Sequence, residues 1–175
     1  MPNYQNQVNT EVELQIFAEF QGIHSTEWLI SLVKRTIILA GVTDQTSLSL
    51  VIADDMTVKE LNYMHRGLDE STDVLAFSFT HEGEYYGEDS PETVRCEDIE
   101  FALPPQKEVG LGEVIISYPV MERQAHEAGR SVKEELAHLI IHGVLHLLGY
   151  DHIQQEEAQV MKQKESEVLL QTRCI

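Results

Sequence analysis

Eight histidines occur in the 175-residue chain, and three of them crowd into one run, HGVLHLLGYDH, from His142 to His152. His142 and His146 stand four apart in a segment whose apolar spacing predicts a helix, so their rings project from one face at a separation that a single metal ion spans. Gly149 then offers a left-handed helix end with no β-carbon in the way, and the reversal can carry His152 back toward the same face. Three neutral imidazoles around an open fourth position are the donor set of a catalytic zinc, whereas a structural zinc is closed by a fourth protein ligand. Any one of these histidines alone reads better as a core imidazole bonded to backbone; the spacing of all three turns the balance toward metal.

His138 also stands four before His142. It lies about 12 Å along the helix axis from His146, too far for both to serve one ion. The Gly149 turn is at the His146 end, so His142, His146 and His152 are the expected ligands, with His138 packing beside them or supporting one of them. His24, His65, His81 and His126 are isolated and read as surface or internally satisfied imidazoles. The same offsets occur in the metzincin proteases, HExxHxxGxxH, where a glutamate after the first histidine is the general base. Here that position is Gly143, which accepts no proton, so peptide hydrolysis by that route is disfavoured.

These residues need a scaffold, and the chain patterns one. Val12, Leu14 and Ile16 alternate with Glu13 and Gln15 as in a strand with one buried face. From Thr26, helical spacing of Leu29, Leu32, Val33 and Ile37 runs to a stop at Gly41. Leu48 to Asp54 reads as a buried strand. Thr57 with Glu60 fits a capping box for a helix that carries Leu61 and Met64 and ends near Gly67. TDVLAFSF and GEVIIS read as two more strands, Pro119 suits the first turn of a helix, and Ser131 with Glu134 caps the long helix that carries the histidines to Leu148. Gln154 to Leu170 reads as a final amphipathic helix. The fold class expected is α+β: a mixed sheet of about four strands packed with helices, in a single domain spanning 1–175. Residues 81–109 are read as a solvated loop or insertion, because nine carboxylates there face only Arg95 and Lys107 and nothing gathers them around a point.

The whole chain is acidic: 12 Lys and Arg against 30 Asp and Glu give a net charge of −18. That excess repels polyanions at long range, so any nucleic-acid contact must be local. Cys96 and Cys174 form no CxxC pair, which points away from a disulfide framework or cysteine zinc site and toward a reducing compartment. No signal-like start and no membrane-length apolar run is seen, so a cytoplasmic location is expected, with no membrane partner.

The chain resembles the YbeY family, bacterial metal-dependent endoribonucleases of ribosomal RNA maturation. The resemblance rests on HGVLHLLGYDH, on LNYMHRGLDESTDVLAFSF, and on GEVIIS followed by QAHEAGRSVKEELAHL, in the family's order and separations. Family members usually show GDI where this chain has Gly112, Glu113 and Val114, and Glu113 is given no role. The resemblance implies one Zn2+ per chain at His142, His146 and His152. It implies single-stranded RNA as substrate, not DNA, and a role on the ribosome in finishing the 3′ end of small-subunit (16S) ribosomal RNA and in ribosome quality control. It also marks Arg66 as the motif arginine, whose guanidinium could grip two phosphoryl oxygens of a phosphodiester attacked by metal-activated water or a ribose 2′-OH. The bland reading of Arg66 is an ion pair with Asp69 or Asp73. Lys59, Arg123, Arg130 and Lys133 are further cations for an RNA track, each equally readable as a solvated helix charge. Asp151 could orient a ligand histidine or only shape its turn. Imidazole also accepts nickel, copper or iron, so zinc is favoured by geometry and availability. Two other readings compete: a zinc-dependent protease or amidohydrolase, and a non-catalytic ribosome-associated factor with a structural metal, toward which the net −18 weighs.

Overall fold

The computed structural model describes residues 10–80, 109–150 and 155–172. All of the acidic segment except its last residue, together with His81, Cys96, Asp151, His152 and Cys174, lies outside the described residues. The elements run β1 (Thr10–Ile16), α1 (Thr26–Leu39), β2 (Thr46–Ala53), α2 (Asp55–Arg66), β3 (Val74–Ser78), β4 (Val109–Ser117), α3 (Tyr118–Glu127), α4 (Val132–Leu147) and α5 (Gln155–Thr172). The four strands form one mixed sheet in the order β1-β2-β4-β3. β1, β2 and β4 are parallel, and β3 returns antiparallel to β4. The expected α+β class is therefore the observed one.

The burial of each strand follows its place in the sheet. β1 is an edge: Val12, Leu14 and Ile16 pack on the core while Glu11, Glu13 and Gln15 stay exposed, which keeps its alternation clean. β2 lies between two strands and is covered on both faces at its end, so Leu50 to Ala53 are buried without a break. Leu48, Leu50, Ile52, Val114 and Ile116 join the larger core with α1, α3 and α4. Val51, Ala53, Leu75 and Ile115 face the other way and close on Val58 and Leu61 of α2. The sheet thus separates α2 from α4.

Helix ends follow their caps. Ser131 Oγ accepts the Glu134 amide while the Glu134 carboxylate accepts the Ser131 amide, the reciprocal box the spacing predicts for α4. For α2 the expected start is three residues late: the Asp54 carboxylate accepts the Thr57 amide at 2.7 Å, so Asp54, a stronger cap than threonine, opens the helix. α1 begins at Thr26 as its spacing predicts, with Ser25 capping it by accepting the Trp28 amide. Gly67 and Gly149 end α2 and α4 with φ of 70° and 84°, as their positions foretold.

Two glycines let the histidine helix reach the sheet. β4 carries an irregularity opposite Ser47 and Leu48, where Gly112 adopts φ 138° and a β-carbon would stand 2.0 Å from the Phe77 carbonyl oxygen. Gly143 faces the strand directly: a β-carbon there would fall 2.6 Å from Val114 Cγ1. Helix propensity would reward Gly143→Ala by about 1 kcal/mol, but overpacking of a close-packed core costs typically 1–3 kcal/mol. Gly143→Ala is therefore expected to lower unfolding free energy by up to about 2 kcal/mol in urea titrations. In the Val114→Ala background the same substitution should cost less; equal costs in both backgrounds would show that this contact does not set the seat of α4.

Candidate metal centre

α4 is enclosed almost all round. From Glu135 to Leu147 every residue is buried except His138, His142 and His146, which recur every four positions. A four-residue step nearly matches the helical repeat, so these three form one stripe along the side of α4 that its neighbours among the described residues leave partly open. Apolar residues fill the rest: Leu136, Ile140, Ile141, Val144 and Leu145 are all fully buried. A helix held this way cannot rotate without exposing its core, and the imidazoles are aimed by that packing.

Within the stripe, the Nε2 atoms of His142 and His146 face each other at 3.1 Å, and their rings meet edge to face at 85°. Tetrahedral zinc with Zn–N bonds of 2.0–2.1 Å sets two nitrogen donors about 3.3 Å apart, so the pair fits two vertices of such a site. Behind His142, its Nδ1–H donates to Glu165 Oε1 of α5 at 2.7 Å. That bond fixes the tautomer, leaving the Nε2 lone pair of His142 directed at His146. The Glu165 side chain is only 14% exposed. Burial pushes its pKa up, but the His142 hydrogen bond and the nearby His142, His138 and His146 rings outweigh this and hold it below the usual glutamate value. His138 lies on the far side of this carboxylate, its Nε2 3.9 Å from Glu165 Oε2 and its Nδ1 3.8 Å from Glu135 Oε1.

Of the three expected ligands the described residues thus bring two together; His152 and its neighbour Asp151 lie outside them. Among the described residues no set of three His, Cys, Asp or Glu side chains is placed to hold an ion. Glu165 was missed by sequence reasoning because it comes 23 positions after His142 in a helix rich in polar residues. A signal existed. Glu165 stands four after Met161 and three before Val168, both essentially buried, so it is a carboxylate on the apolar stripe of α5.

Arg66 is the half-buried last residue of α2, on the opposite face of the sheet from α4. β3, an end strand of the sheet, separates the two layers there, so the path from Arg66 to the histidines that avoids crossing the sheet rounds that strand. Nearby, Asp69 meets Lys59 at 3.2 Å, and Asp73 Oδ1 accepts the Val74 amide and the Thr72 hydroxyl. Arg130 donates to the buried Glu135 at 2.9 Å, and the Lys133 ammonium sits 4.9 Å over the Trp28 ring. Three of the four cations proposed for an RNA track are therefore engaged within the protein. Glu113 lies on β4 opposite Phe77 of β3, in the layer of α2. Among the isolated histidines, His65 packs against the Phe77 ring at 4.8 Å, and His24 lies 3.5 Å from the Tyr118 hydroxyl. Burial first, and then Lys133, hold the His24 pKa below the usual imidazole value. Among the described residues no helix is long and apolar enough to cross a membrane.

Comparison with known proteins bears on this geometry. The family model described as Endoribonuclease YbeY matches residues 8–173. A protein of Dehalococcoides mccartyi named Endoribonuclease YbeY is 41% identical over 152 residues, covering 87% of this chain and 84% of its own. Its namesake in Desulforamulus reducens is 40% identical over 139 residues, covering 79% of this chain and 80% of its own. The solution structure of TM1509 from Thermotoga maritima superposes with a TM-score of 0.57 at 22% identity, covering 92% of this chain and 88% of that one, a likeness of fold. With the family match spanning nearly all of the chain and relatives above 40% identity over most of both partners, the chain belongs to the YbeY endoribonuclease family.

Proposed function

We propose that the protein is a single-strand-specific endoribonuclease that uses one zinc ion, held by His142, His146 and His152, to cut ribosomal RNA. The observation that carries this reading is the pair of Nε2 atoms 3.1 Å apart on the one open stripe of a buried helix. The setting of the reaction is the 3′ end of small-subunit ribosomal RNA and ribosome quality control, with the ribosome as the partner that presents the strand. The compartment is the cytoplasm.

When bound, zinc supplies a coordinated water with a pKa near 7 and an electrophile for a phosphoryl oxygen. The chain's own residues do the rest. His142 and His146 hold their ring nitrogens toward a common point without rearrangement, because α4 is seated on β4 and cannot turn. Arg66, approaching from the other side of β3, meets the negative charge that gathers on the phosphodiester, with two parallel N–H donors for two oxygens. Gly143 offers no general base and faces Val114, which argues against a protease built on this helix. The attacking oxygen belongs to water or to the ribose 2′-hydroxyl, and a 2′,3′-cyclic phosphate end would assign it to the ribose.

The test uses purified protein with single-stranded ribosomal RNA fragments. A chelator should abolish cleavage and added zinc restore it; His146→Ala should do the same irreversibly while leaving the thermal midpoint of the metal-free protein nearly unchanged. Cleavage that survives chelation and His146→Ala would remove the metal from the chemistry. A charge-assisted hydrogen bond is worth roughly 1.5–3 kcal/mol, so Arg66→Lys, which loses the planar fork, should slow cleavage about 10- to 100-fold. Unaltered kcat and KM in that variant would take Arg66 out of the reaction.

A further inference from the structure

A carboxylate only 14% exposed on an otherwise apolar helix stripe calls for a reason. α5 packs against α4 and α1 through Met161 and Val168, which are 2% and 0% exposed, and the Lys164 ammonium donates to the Leu39 carbonyl at the end of α1. If α5 served packing alone, the position between those two residues would be filled by leucine or methionine, since burying a carboxylate is costly unless it is paired. Glu165 instead takes the Nδ1 proton of His142 at 2.7 Å, while its second oxygen lies within 4 Å of His138, at 3.9 Å. Both contacts fall on the histidine stripe.

We propose that Glu165 is the positioning carboxylate of the metal centre and that α5 is thereby part of the site. This rests on the zinc reading above and deepens it. By holding the Nδ1 proton, Glu165 makes Nε2 of His142 the donor atom, fixes the plane of the ring, and through its charge raises the ring's basicity toward a cation. It acts through His142 and touches neither the ion nor the RNA.

The experiment measures zinc affinity, by competition with a chromogenic chelator, for the full-length protein and for Glu165→Leu, Glu165→Gln and His142→Ala. Glu165→Leu fills the largely covered position with an apolar side chain and should fold with a metal-free melting temperature close to that of the parent protein. Its zinc affinity should nonetheless fall about 10- to 100-fold, the usual cost of losing a carboxylate behind a ligand histidine. Glu165→Gln keeps an acceptor oxygen and should recover most of that loss. In the His142→Ala background, Glu165→Leu should change zinc affinity by less than about twofold, since its route to the ion is already gone. Nitrogen-15 spectra of the metal-free protein should report His142 as the Nδ1–H tautomer, with that preference lost in Glu165→Leu.

Parental zinc affinity in Glu165→Leu, or an equal loss with and without His142, would overturn the positioning role while leaving the zinc reading intact. A parent protein that takes up no stoichiometric zinc would overturn the zinc reading, and this inference with it. Should Glu165→Leu fail to fold, Glu165→Gln decides: a modest affinity loss that vanishes in His142→Ala supports the role, and a loss that persists there overturns it.

Discussion

The site depends on a constraint of packing: a helix walled in by a sheet on one side and by α1, α3 and α5 around it has a single strip of surface left, and on this strip stand His138, His142 and His146. Everything else along thirteen residues, Glu135 to Leu147, is either apolar, glycine, or a carboxylate neutralised by Arg130. Orientation of the imidazoles is therefore a by-product of the burial of α4. Rotation of the helix by one position would exchange a histidine for a leucine or isoleucine at the surface, at a cost of roughly 1.5–3 kcal/mol for each large side chain exposed. A donor set supported this way is held before any ligand arrives.

Electrostatics acts against this arrangement from a distance and with it at close range. The sum of −18 opposes an RNA strand over the whole surface, and three of the cations that could offset it, Lys59, Arg130 and Lys133, are engaged by Asp69, Glu135 and Trp28. Recognition of RNA by a broad basic groove is thus not the design. Charges that do act on a strand act over a few ångströms, where screening is weak.

Much of this was legible in the residues because the governing interactions are local. The capping box of Ser131 and Glu134, the four-residue step from His142 to His146, the glycine stop at position 149 and the alternation in β1 are all set within a few residues of chain. The start of α2 was misplaced for an equally local reason: Asp54 competes with Thr57 for the same role and wins by charge and hydrogen-bond strength. What spacing could not disclose were the partners joined by topology. Glu165 meets His142 only because α5 folds back along α4, and Arg66 is parted from the histidines only because α2 crosses the other face of the sheet. Neither relation has a period that can be read along the chain.

The contact between Gly143 and Val114 carries an evolutionary consequence. A helix pressed this close to its strand has no room for a side chain at the position after His142, so a replacement there that introduces a proton acceptor must push Val114 aside or lift the helix and disturb the imidazole pair. Descendants of this protein can drift in the substrates they accept, but the path to peptide hydrolysis through that codon is sterically opposed and needs a compensating change at Val114. The tightness of one seam in the interior has narrowed the catalytic futures open to the lineage.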